Sequence, residues 1–441
     1  MLPPKTRSIG KAVPSGRIQR FASFGSMAGG VAGGMLVDGA KQWAQGKRPS
    51  VSDLLLTPAN ARRITDKLAN LRGAAMKLGQ LMSMDTGDFF PPELTEILGR
   101  LRADAQHMPQ GQLRKVLEHN WGRGWEKRFA SFGFKPIAAA SIGQVHRART
   151  VDGRDLAIKV QYPGVRQSID SDVDNVASLI KLSGLLPAGL EIDAMLEEAK
   201  RQLHEEADYE HEAAHLTSFG QLLAGEPDYR VPALHEDFST GDILAMSFDE
   251  SIAVEDTEHL PQVDRDRIAE LLVGLLMREL FEFKLMQTDP NFANYRYDPA
   301  TRQLVLLDFG ATRPVTQPVA DAYRALLGAG LKSDRAATRQ WAITLGLIHQ
   351  DAPESHKDAV LGMFDTAFAP LRTEGSFDFA SSDTVNQLRD EGMAFAQQRS
   401  FYHIPPVDTL FIQRKIGGVF LLGSRLKAQV GVNSMIRAHV V

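Results

Sequence analysis

The sequence predicts an α+β protein with two lobes, in which a small antiparallel β lobe with inserted helices precedes a helical lobe and follows an N-terminal helical extension. Three patterns indicate this class. Asp152-Gly153 separates two short strand patterns, which is typical of a β-hairpin. Ile268 to Leu285 is strongly apolar and indicates a core helix. Beyond Gly310 the chain has helical patterns almost to its end.

Composition restricts the functional classes. At 441 residues, the chain is long enough for two or three packed units. Its 43% hydrophobic and 24% charged content is typical of a soluble globular protein. A net charge of -4 argues against nucleic-acid binding by the chain as a whole. The absence of cysteine excludes disulfides, cysteinyl zinc sites and thiol catalysis.

Residues 1–49 form a basic, Gly/Ala-rich tail. Its segment Phe21 to Val37 carries no charge and has Gly25, Gly29 and Gly33 at G-x-x-x-G spacing. At 17 residues this segment is short for a membrane span, but its basic flank suits peripheral contact with an anionic membrane. The small residues permit a homodimer without requiring one. A disordered tail and a transit peptide are the alternatives.

Residues 50–130 are predicted to form the N-terminal helical extension. Thr57-Pro58 is a helix-start signal, and Pro91-Pro92 opens a second helix. Lys77 and Gln80 lie on the first of these helices. One face of that helix carries apolar residues at alternating four- and three-residue steps, namely Ile64, Leu68, Leu71, Ala75, Leu78 and Met82.

Residues 131–250 read as the β lobe. An alanine-rich loop consists of Ala138, Ala139, Ala140, Ser141, Ile142 and Gly143. The next two strands are predicted at Val145 to Arg149 and Leu156 to Val160, with Lys159 on the second. The remaining elements are helices at Arg166 to Leu186 and Ile192 to Leu223, and strands at Tyr229 to His235 and Ile243 to Phe248 that are expected to complete the sheet.

Residues 251–441 read as the helical lobe, and its most informative stretch is a predicted β-hairpin. Asp289 is followed five positions later by Asn294. Strands are then predicted at Tyr295 to Tyr297 and Gln303 to Leu307, and Asp308 closes the second strand. Such a hairpin would bring Asn294 and Asp308 together as two oxygen ligands for a hard cation. The alternative is an ordinary hairpin with aspartates as turn residues.

Protein kinases use this arrangement, with a catalytic-loop Asp, an Asn at D-x4-N and a D-F-G Asp. By that pattern Asp289 handles the acceptor hydroxyl, while Asn294 and Asp308 hold Mg²⁺. Lys159 would contact the phosphates of ATP or ADP, with Glu212 as its carboxylate partner. The sequence therefore predicts a two-lobed protein-kinase-like fold. The alternative for Lys159 is a strand lysine that points to water.

Three departures from ordinary kinases stand beside the matches. The phosphate loop is mostly alanine, so the nucleotide is expected to sit differently. Gln287-Thr288 replaces the His-Arg before the catalytic Asp, and no A-P-E follows Gly310.

Glu206 and Asp208 lie about 200° apart on a regular helix at roughly 100° per residue, so they cannot share one role unless the helix is irregular.

Taken together, the sequence resembles the UbiB family of atypical kinase-like proteins, also called aarF-domain kinases, in its ubiquinone (coenzyme Q) biosynthesis branch. The resemblance covers roughly Thr57 to Lys427. The segments that carry it are Lys77 to Gln80, Ala138 to Gly143, Ala157 to Lys159, Glu206 to Ala214, Gln287 to Asn294 and Leu306 to Arg313.

The resemblance implies a role for each of these segments. Lys77 and Gln80 belong to an extension folded over the site where a protein kinase receives its peptide. Glu206 and Asp208 form an E-x-D pair facing the same pocket. Further site residues implied by the family pattern are Glu212 as partner of Lys159, Asp289 as catalytic Asp, Asn294 and Asp308 as metal ligands, and Met246 and Phe248 at the adenine hinge. The hinge, Ala245 to Ser251, lacks the acid-then-Gly pattern that is expected there.

The implied function is an ATP- and Mg²⁺-dependent kinase-like ATPase that supports ubiquinone biosynthesis. Its substrates would be isoprenoid or quinone-precursor lipids, or the enzymes that process them. We expect it to be cytoplasmic and peripheral at the inner face of a bacterial inner membrane, or alternatively on the matrix side of the mitochondrial inner membrane. A Ser/Thr protein kinase and a nucleotide-gated binding pseudokinase are the alternatives.

Overall fold

A computed structural model describes residues 107–183, 193–289, 291–380, 383–397, 403 and 405–440. The chain divides into two compact units. The first unit contains the chain up to Ala213 together with Leu234–Phe248, and the second contains Ala214–Ala233 together with the chain from Asp249. The tail at 1–49 and the helices predicted around Lys77 and Gln80 lie outside the described residues.

The described part of the chain contains both helices and strands, which confirms the predicted α+β class. The helices are α1 Gln110–Trp121, α2 Val165–Ser183, α3 Asp193–Glu206, α4 Tyr209–Leu222, α5 Gln262–Arg278, α6 Gln317–Leu331, α7 Arg335–Thr344, α8 Glu354–Phe368, α9 Thr384–Gln397, α10 Val407–Leu426 and α11 Val432–Val440. The strands are β1 Phe129–Phe132, β2 Ala138–Ala139, β3 Gly143–Thr150, β4 Asp155–Gln161, β5 Tyr229–Arg230, β6 Ile243–Ser247, β7 Ile252–Ala253, β8 Leu285–Gln287, β9 Tyr295–Asp298, β10 Gln303–Leu306, β11 Thr312–Pro314, β12 Phe377–Asp378 and β13 Gln429–Val430.

An antiparallel sheet in the order β1-β3-β4-β6, with β2 also paired to β3, forms the centre of the first unit. The predicted turn between β3 and β4 is present, and Gly153 adopts a φ of +92°, which favours glycine. Ile158 and Val160 are fully buried. Trp121 of α1 packs beside the sheet edge, where its indole N–H donates to the carbonyl of Phe238 at 3.0 Å.

The helix predicted over Ile192 to Leu223 is wrong as a single element. The structure ends α3 at Glu206 and begins α4 at Tyr209. Asp208 lies between the two helices, and its Oδ1 accepts a hydrogen bond from the backbone N–H of His211 at 3.1 Å. A side-chain acceptor at this position satisfies a backbone donor that a new helix start leaves free. Hydrophobic spacing continues across such a break, so periodicity alone does not reveal it.

The second unit contains a four-stranded sheet in the order β5-β10-β9-β7. β5 runs parallel to β10, whereas the β9–β10 and β7–β9 pairs are antiparallel. The prediction that Tyr229 to His235 completes the first sheet holds only at its C-terminal end, where Leu234 forms an antiparallel bridge with Met246 of β6 and the N–H of His235 donates to the carbonyl of Ala245 at 2.9 Å. Pro232 cannot donate a backbone hydrogen bond and interrupts the predicted strand. Its N-terminal part, β5, pairs instead with the second unit's hairpin.

The predicted core helix at Ile268 to Leu285 is present as α5, but it ends earlier. Five residues of π-helical backbone, Glu279–Phe283, follow α5 directly. Lys284 then takes a left-handed conformation with a φ of +51° directly before β8, which pairs with β11. Among the helices that the structure describes, none is both long and apolar enough to cross a membrane.

Candidate functional site

A buried ion pair joins β4 and α4 in the first unit. The ammonium of Lys159 donates to both carboxylate oxygens of Glu212 at 2.8 Å each. Lys159 is 8% exposed and Glu212 is 1% exposed, and the Lys159 Nζ lies 5.2 Å from the centre of the Tyr209 ring. Lys159 is therefore held by a carboxylate inside the unit and is not a strand lysine that points to water.

The alanine-rich loop is the turn of a short hairpin. Ala138 pairs with Val145 and Ala139 with Gln144, and the N–H of Ala140 donates to the carbonyl of Gly143 at 3.0 Å. Ala138 and Ala139 are exposed. The exposed turn between two paired strands has the topology of a loop that covers phosphates in kinases, although methyl groups line it here.

Gly143 has a packing reason to be glycine. It is buried at the start of β3, opposite Gln161 of β4. A Cβ added to Gly143 would lie 2.4 Å from the carbonyl oxygen of Val160, closer than real Cβ atoms approach. The close approach of β3 and β4 therefore requires this glycine, whatever the loop binds.

Glu206 and Asp208 flank the break between α3 and α4. The hydroxyl of Ser141, in the alanine-rich loop, donates to Glu206 Oε2 at 2.5 Å. Asp208 caps α4 through the backbone of His211, and its Oδ1 lies 3.9 Å from the guanidinium of Arg166. Glu206 and Asp208 do not lie on one regular helix. The separation of about 200° that a regular helix would impose on their side chains therefore does not exclude a shared role.

The candidate hinge residues occupy the end of β6. Met246 is 7% exposed and its backbone pairs with Ala157 of β4. Phe248 donates its backbone N–H to the carbonyl of Asp155 at 2.9 Å. The guanidinium of Arg147 lies 4.0 Å from the centre of the Phe248 ring, a cation–π contact that fixes one face of the ring.

The second unit brings Asp289, Asn294 and the strand before Asp308 together. The side-chain amide of Asn294 donates to Asp289 Oδ2 at 3.0 Å. In the β9–β10 hairpin, Tyr295 is paired with Leu306, and the next backbone bond runs from the N–H of Leu307 to the carbonyl of Asn294 at 3.0 Å. Asp308 follows directly in the chain, so the hairpin holds it beside Asn294.

Short backbone bonds fix the flanks of this arrangement. Thr288 donates both its backbone N–H and its hydroxyl to the carbonyl of Ala311, at 3.0 and 2.7 Å. Asp308 Oδ1 accepts from the N–H of Gly310 at 3.0 Å. The residue before Asp289 and the residues after Asp308 are thus tied to each other within the same unit.

The residue types at this hairpin fit Mg²⁺. The ion prefers oxygen ligands and usually takes one or two protein carboxylates together with water and substrate phosphates. Asp308 offers a carboxylate and Asn294 an amide oxygen. Lys159 and Glu212 belong to the first unit, whereas Asp289, Asn294 and Asp308 belong to the second. Convergence of the two sets on one magnesium–triphosphate remains a prediction.

Sequence reasoning missed Lys415 of α10. Its side chain is 1% exposed, and its ammonium contacts Gln287, two residues before Asp289. A lysine within an ordinary helix usually points to water, which hides such a residue. Only its apolar neighbours at helical spacing, Phe411 and Val419, both buried, indicate that this face of α10 is internal.

Comparisons with known proteins identify the family to which the sequence is similar. The model of the ABC1 atypical kinase-like domain matches residues 100–342. The Saccharomyces cerevisiae protein "Atypical kinase COQ8, mitochondrial" is 37% identical over 421 residues, which are 95% of this chain and 84% of the relative. "Atypical kinase COQ8B, mitochondrial" from Rattus norvegicus is 37% identical over 433 residues, 98% of this chain and 82% of the relative.

A solved structure supports the fold. The complex of Rv3197 with erythromycin from Mycobacterium tuberculosis aligns with a TM-score of 0.59 at 23% identity, covering 87% of this chain and 96% of the other. At this level of identity the likeness concerns the fold alone.

Proposed function

Because the chain belongs to the ABC1, or UbiB, family of atypical kinase-like proteins, we propose that it uses ATP and Mg²⁺ in support of ubiquinone biosynthesis. It is a kinase-like phosphotransferase or ATPase of the UbiB type. The observation that supports the proposal is the hairpin in which the Leu307 N–H donates to the Asn294 carbonyl at 3.0 Å, because this bond holds the D-x4-N and D-F-G segments side by side, as two Mg²⁺-binding segments would need to lie.

In this proposal, each site residue has one task. Lys159 binds phosphate oxygens, and Glu212 holds its ammonium in place. Asn294 and Asp308 supply oxygens to Mg²⁺, which neutralises charge on the phosphates when it is bound. Asp289 orients water or an acceptor hydroxyl for in-line attack on the γ-phosphate.

The remaining site residues shape the nucleotide pocket in the proposal. The alanine-rich loop covers the phosphates at a greater distance than a glycine loop, because methyl groups limit close approach. Met246 and Phe248 contact the adenine. Glu206 and Asp208 face the pocket, and the extension carrying Lys77 and Gln80 keeps protein substrates out.

The proposed substrates are isoprenoid or quinone-precursor lipids, or the enzymes that process them. The basic tail at 1–49 supports peripheral contact with an anionic membrane, and the small residues of Phe21 to Val37 suit a homodimer. The two relatives are named mitochondrial, which favours the matrix side of the mitochondrial inner membrane, or in a bacterium the equivalent cytoplasmic face.

One assay separates this function from its alternatives. Purified protein is incubated with ATP, Mg²⁺ and quinone-precursor-like phenols, with and without liposomes, and free phosphate, labelled protein and labelled lipid are measured by mass. Free phosphate or labelled lipid that Asp308→Asn reduces by at least about 100-fold supports the proposal. The matched control is Asp298→Asn, which removes a carboxylate at the far end of the same hairpin.

Three other results would contradict the proposal. Stoichiometric labelling of an added protein would identify a Ser/Thr protein kinase. The absence of turnover under every condition would identify a nucleotide-gated binding module. Full activity in Asp308→Asn would remove the proposed metal ligand and with it the argument from the hairpin.

A further inference from the structure

A charged network is buried beneath the loop that carries Asp289. The ammonium of Lys415, on α10, donates to the backbone carbonyl of Gln287 at 2.8 Å and to its side-chain oxygen at 3.1 Å. It also donates to the hydroxyl of Tyr295 at 2.6 Å. Glu279 Oε2 lies 3.0 Å from the same nitrogen, and both side chains of this ion pair are 1% exposed.

The other members of the network bond to one another. The Tyr295 hydroxyl lies 2.9 Å from the side-chain oxygen of Gln287, to which it donates. Glu279, in the π-helical turn after α5, accepts the backbone N–H of Gln287 at 3.3 Å. Burial alone lowers the pKa of Lys415, but Glu279 and Tyr295 outweigh burial and hold that pKa above its usual value. Burial likewise raises the pKa of Glu279, and Lys415 opposes that rise; the 3.0 Å separation of the two groups is that of an ion pair.

The network contacts the chain on both sides of the loop from Asp289 to Asn294. Gln287 comes two residues before Asp289, and Tyr295 comes directly after Asn294. Lys415 thus holds the residues at both ends of the loop that carries the proposed catalytic Asp and metal-binding Asn. It does so from inside the unit.

We propose that Lys415 and Glu279 are positioning residues that set the geometry of the Asp289–Asn294 loop for phosphoryl transfer. This inference rests on the proposed function. Lys415 bonds to the loop through Gln287 and Tyr295, so it acts through other residues. Buried ion pairs are often no more stabilising than apolar side chains of similar volume, so stability alone does not account for a charged pair here.

The test uses a variant that removes both charges and keeps the volume. Lys415→Met alone strands the Glu279 carboxylate in the core and is expected to unfold more easily, so Glu279→Gln is combined with it. The matched control is Lys357→Met on α8. Lys357 is 8% exposed, and its ammonium lies 3.1 Å from the exposed carboxylate of Glu354.

We expect kcat of the double variant to fall by about 100-fold, since a small displacement of a catalytic group has effects of this size. KM for the Mg²⁺–ATP complex should stay within about twofold, because the loop's geometry and not the phosphate contact is changed. Lys357→Met should leave both constants unchanged. An equal loss of kcat in Lys357→Met would show a general effect of removing a buried lysine and would overturn the proposal.

Amide hydrogen exchange gives a readout that does not depend on activity. Peptides covering residues 285–297 should exchange faster in the double variant, while peptides of β5 and α8 keep wild-type rates. Unchanged exchange in 285–297, or unchanged kcat in the folded double variant, would overturn the proposal. Absence of turnover in the wild-type protein would instead contradict the proposed function, and the exchange result would still decide whether Lys415 orders the loop.

Discussion

Removing the ammonium of Lys159 gives the most direct test of the first unit's site. In Lys159→Met the carboxylate of Glu212, 1% exposed, loses both of its 2.8 Å hydrogen bonds from that ammonium. Stranding one member of a buried pair costs about 3–5 kcal/mol. Because Lys159 itself retains 8% exposure, we expect the lower value, about 3 kcal/mol, in the free energy of unfolding.

The double variant Lys159→Met/Glu212→Gln separates charge pairing from packing. With both charges removed, the free energy of unfolding should return to within about 1 kcal/mol of wild type. Because Glu212→Gln leaves the Lys159 ammonium unpaired in turn and should also cost about 3 kcal/mol, the double-mutant cycle gives a coupling energy of about 5 kcal/mol. Additive losses, with no recovery in the double variant, would refute the reasoning that the pair is a coupled, desolvated unit.

The assay must report on the first unit alone. Trp121 and Trp125 belong to it, with ring centres 5.7 Å apart, so their fluorescence is followed during urea unfolding. Trp43→Phe and Trp341→Phe form the common background, which removes the other two tryptophans. A change in midpoint at constant slope reports stability.

Nucleotide binding supplies the functional half of the test. A ligand at 100 times its Kd stabilises the folded state by about 2.7 kcal/mol, and the wild-type protein should gain this from an ATP analogue with Mg²⁺. The double variant folds but lacks the ammonium that binds phosphates, so it should gain less than about 1 kcal/mol at the same concentration. Equal stabilisation of both proteins would exclude Lys159 as a phosphate ligand.

Two further predictions concern carboxylates. Asp208→Ala removes the acceptor for the His211 N–H and should lower the free energy of unfolding by about 1 kcal/mol. Asp208→Asn should keep the wild-type stability in urea unfolding but lower turnover at least about tenfold, because the proposal places the charge of Asp208 in the pocket. Unchanged turnover in Asp208→Asn would show that Asp208 serves only as a helix cap. Arg230 holds the pKa of Asp298 down to about 2, below the ordinary 3.8, so the stability that this carboxylate contributes is present above about pH 4 and lost as the pH falls through about 2. Urea unfolding of wild type and Asp298→Asn from about pH 2 to 7 should show a difference that shrinks below about pH 4, and a constant difference would contradict this assignment.

Local signals predicted the parts of the fold that short turns determine. Asp152-Gly153 and the turn beginning at Asp298 each restrict the backbone within a few residues, so both hairpins follow from the sequence. The pairing of Lys159 with Glu212 was inferred from the kinase pattern, and the two residues are 53 positions apart. Composition and periodicity alone give no partner at that separation.

Features that depend on distant contacts were not predictable in the same way. β5 has only two residues, and its sheet is decided by pairing with Leu304 and Val305 of β10, far along the chain. The break at Asp208 depends on a cap whose signal lies inside an acidic run. The internal position of Lys415 is indicated only by its apolar neighbours at helical spacing, and its partner Gln287 is 128 positions away in the chain.

Each compact unit contains a lysine–glutamate pair whose two side chains are no more than 10% exposed. The difference between them predicts different kinetics. The Lys159 side chain is 10% exposed and lies on the strand opposite the alanine-rich hairpin, whereas the Lys415 side chain is 1% exposed and bonds to loop backbone. A residue that binds phosphate alters nucleotide affinity, and a residue that shapes a loop alters kcat. The two double variants should therefore lose activity through different constants, and a shared pattern would show that at least one of the two assignments is wrong.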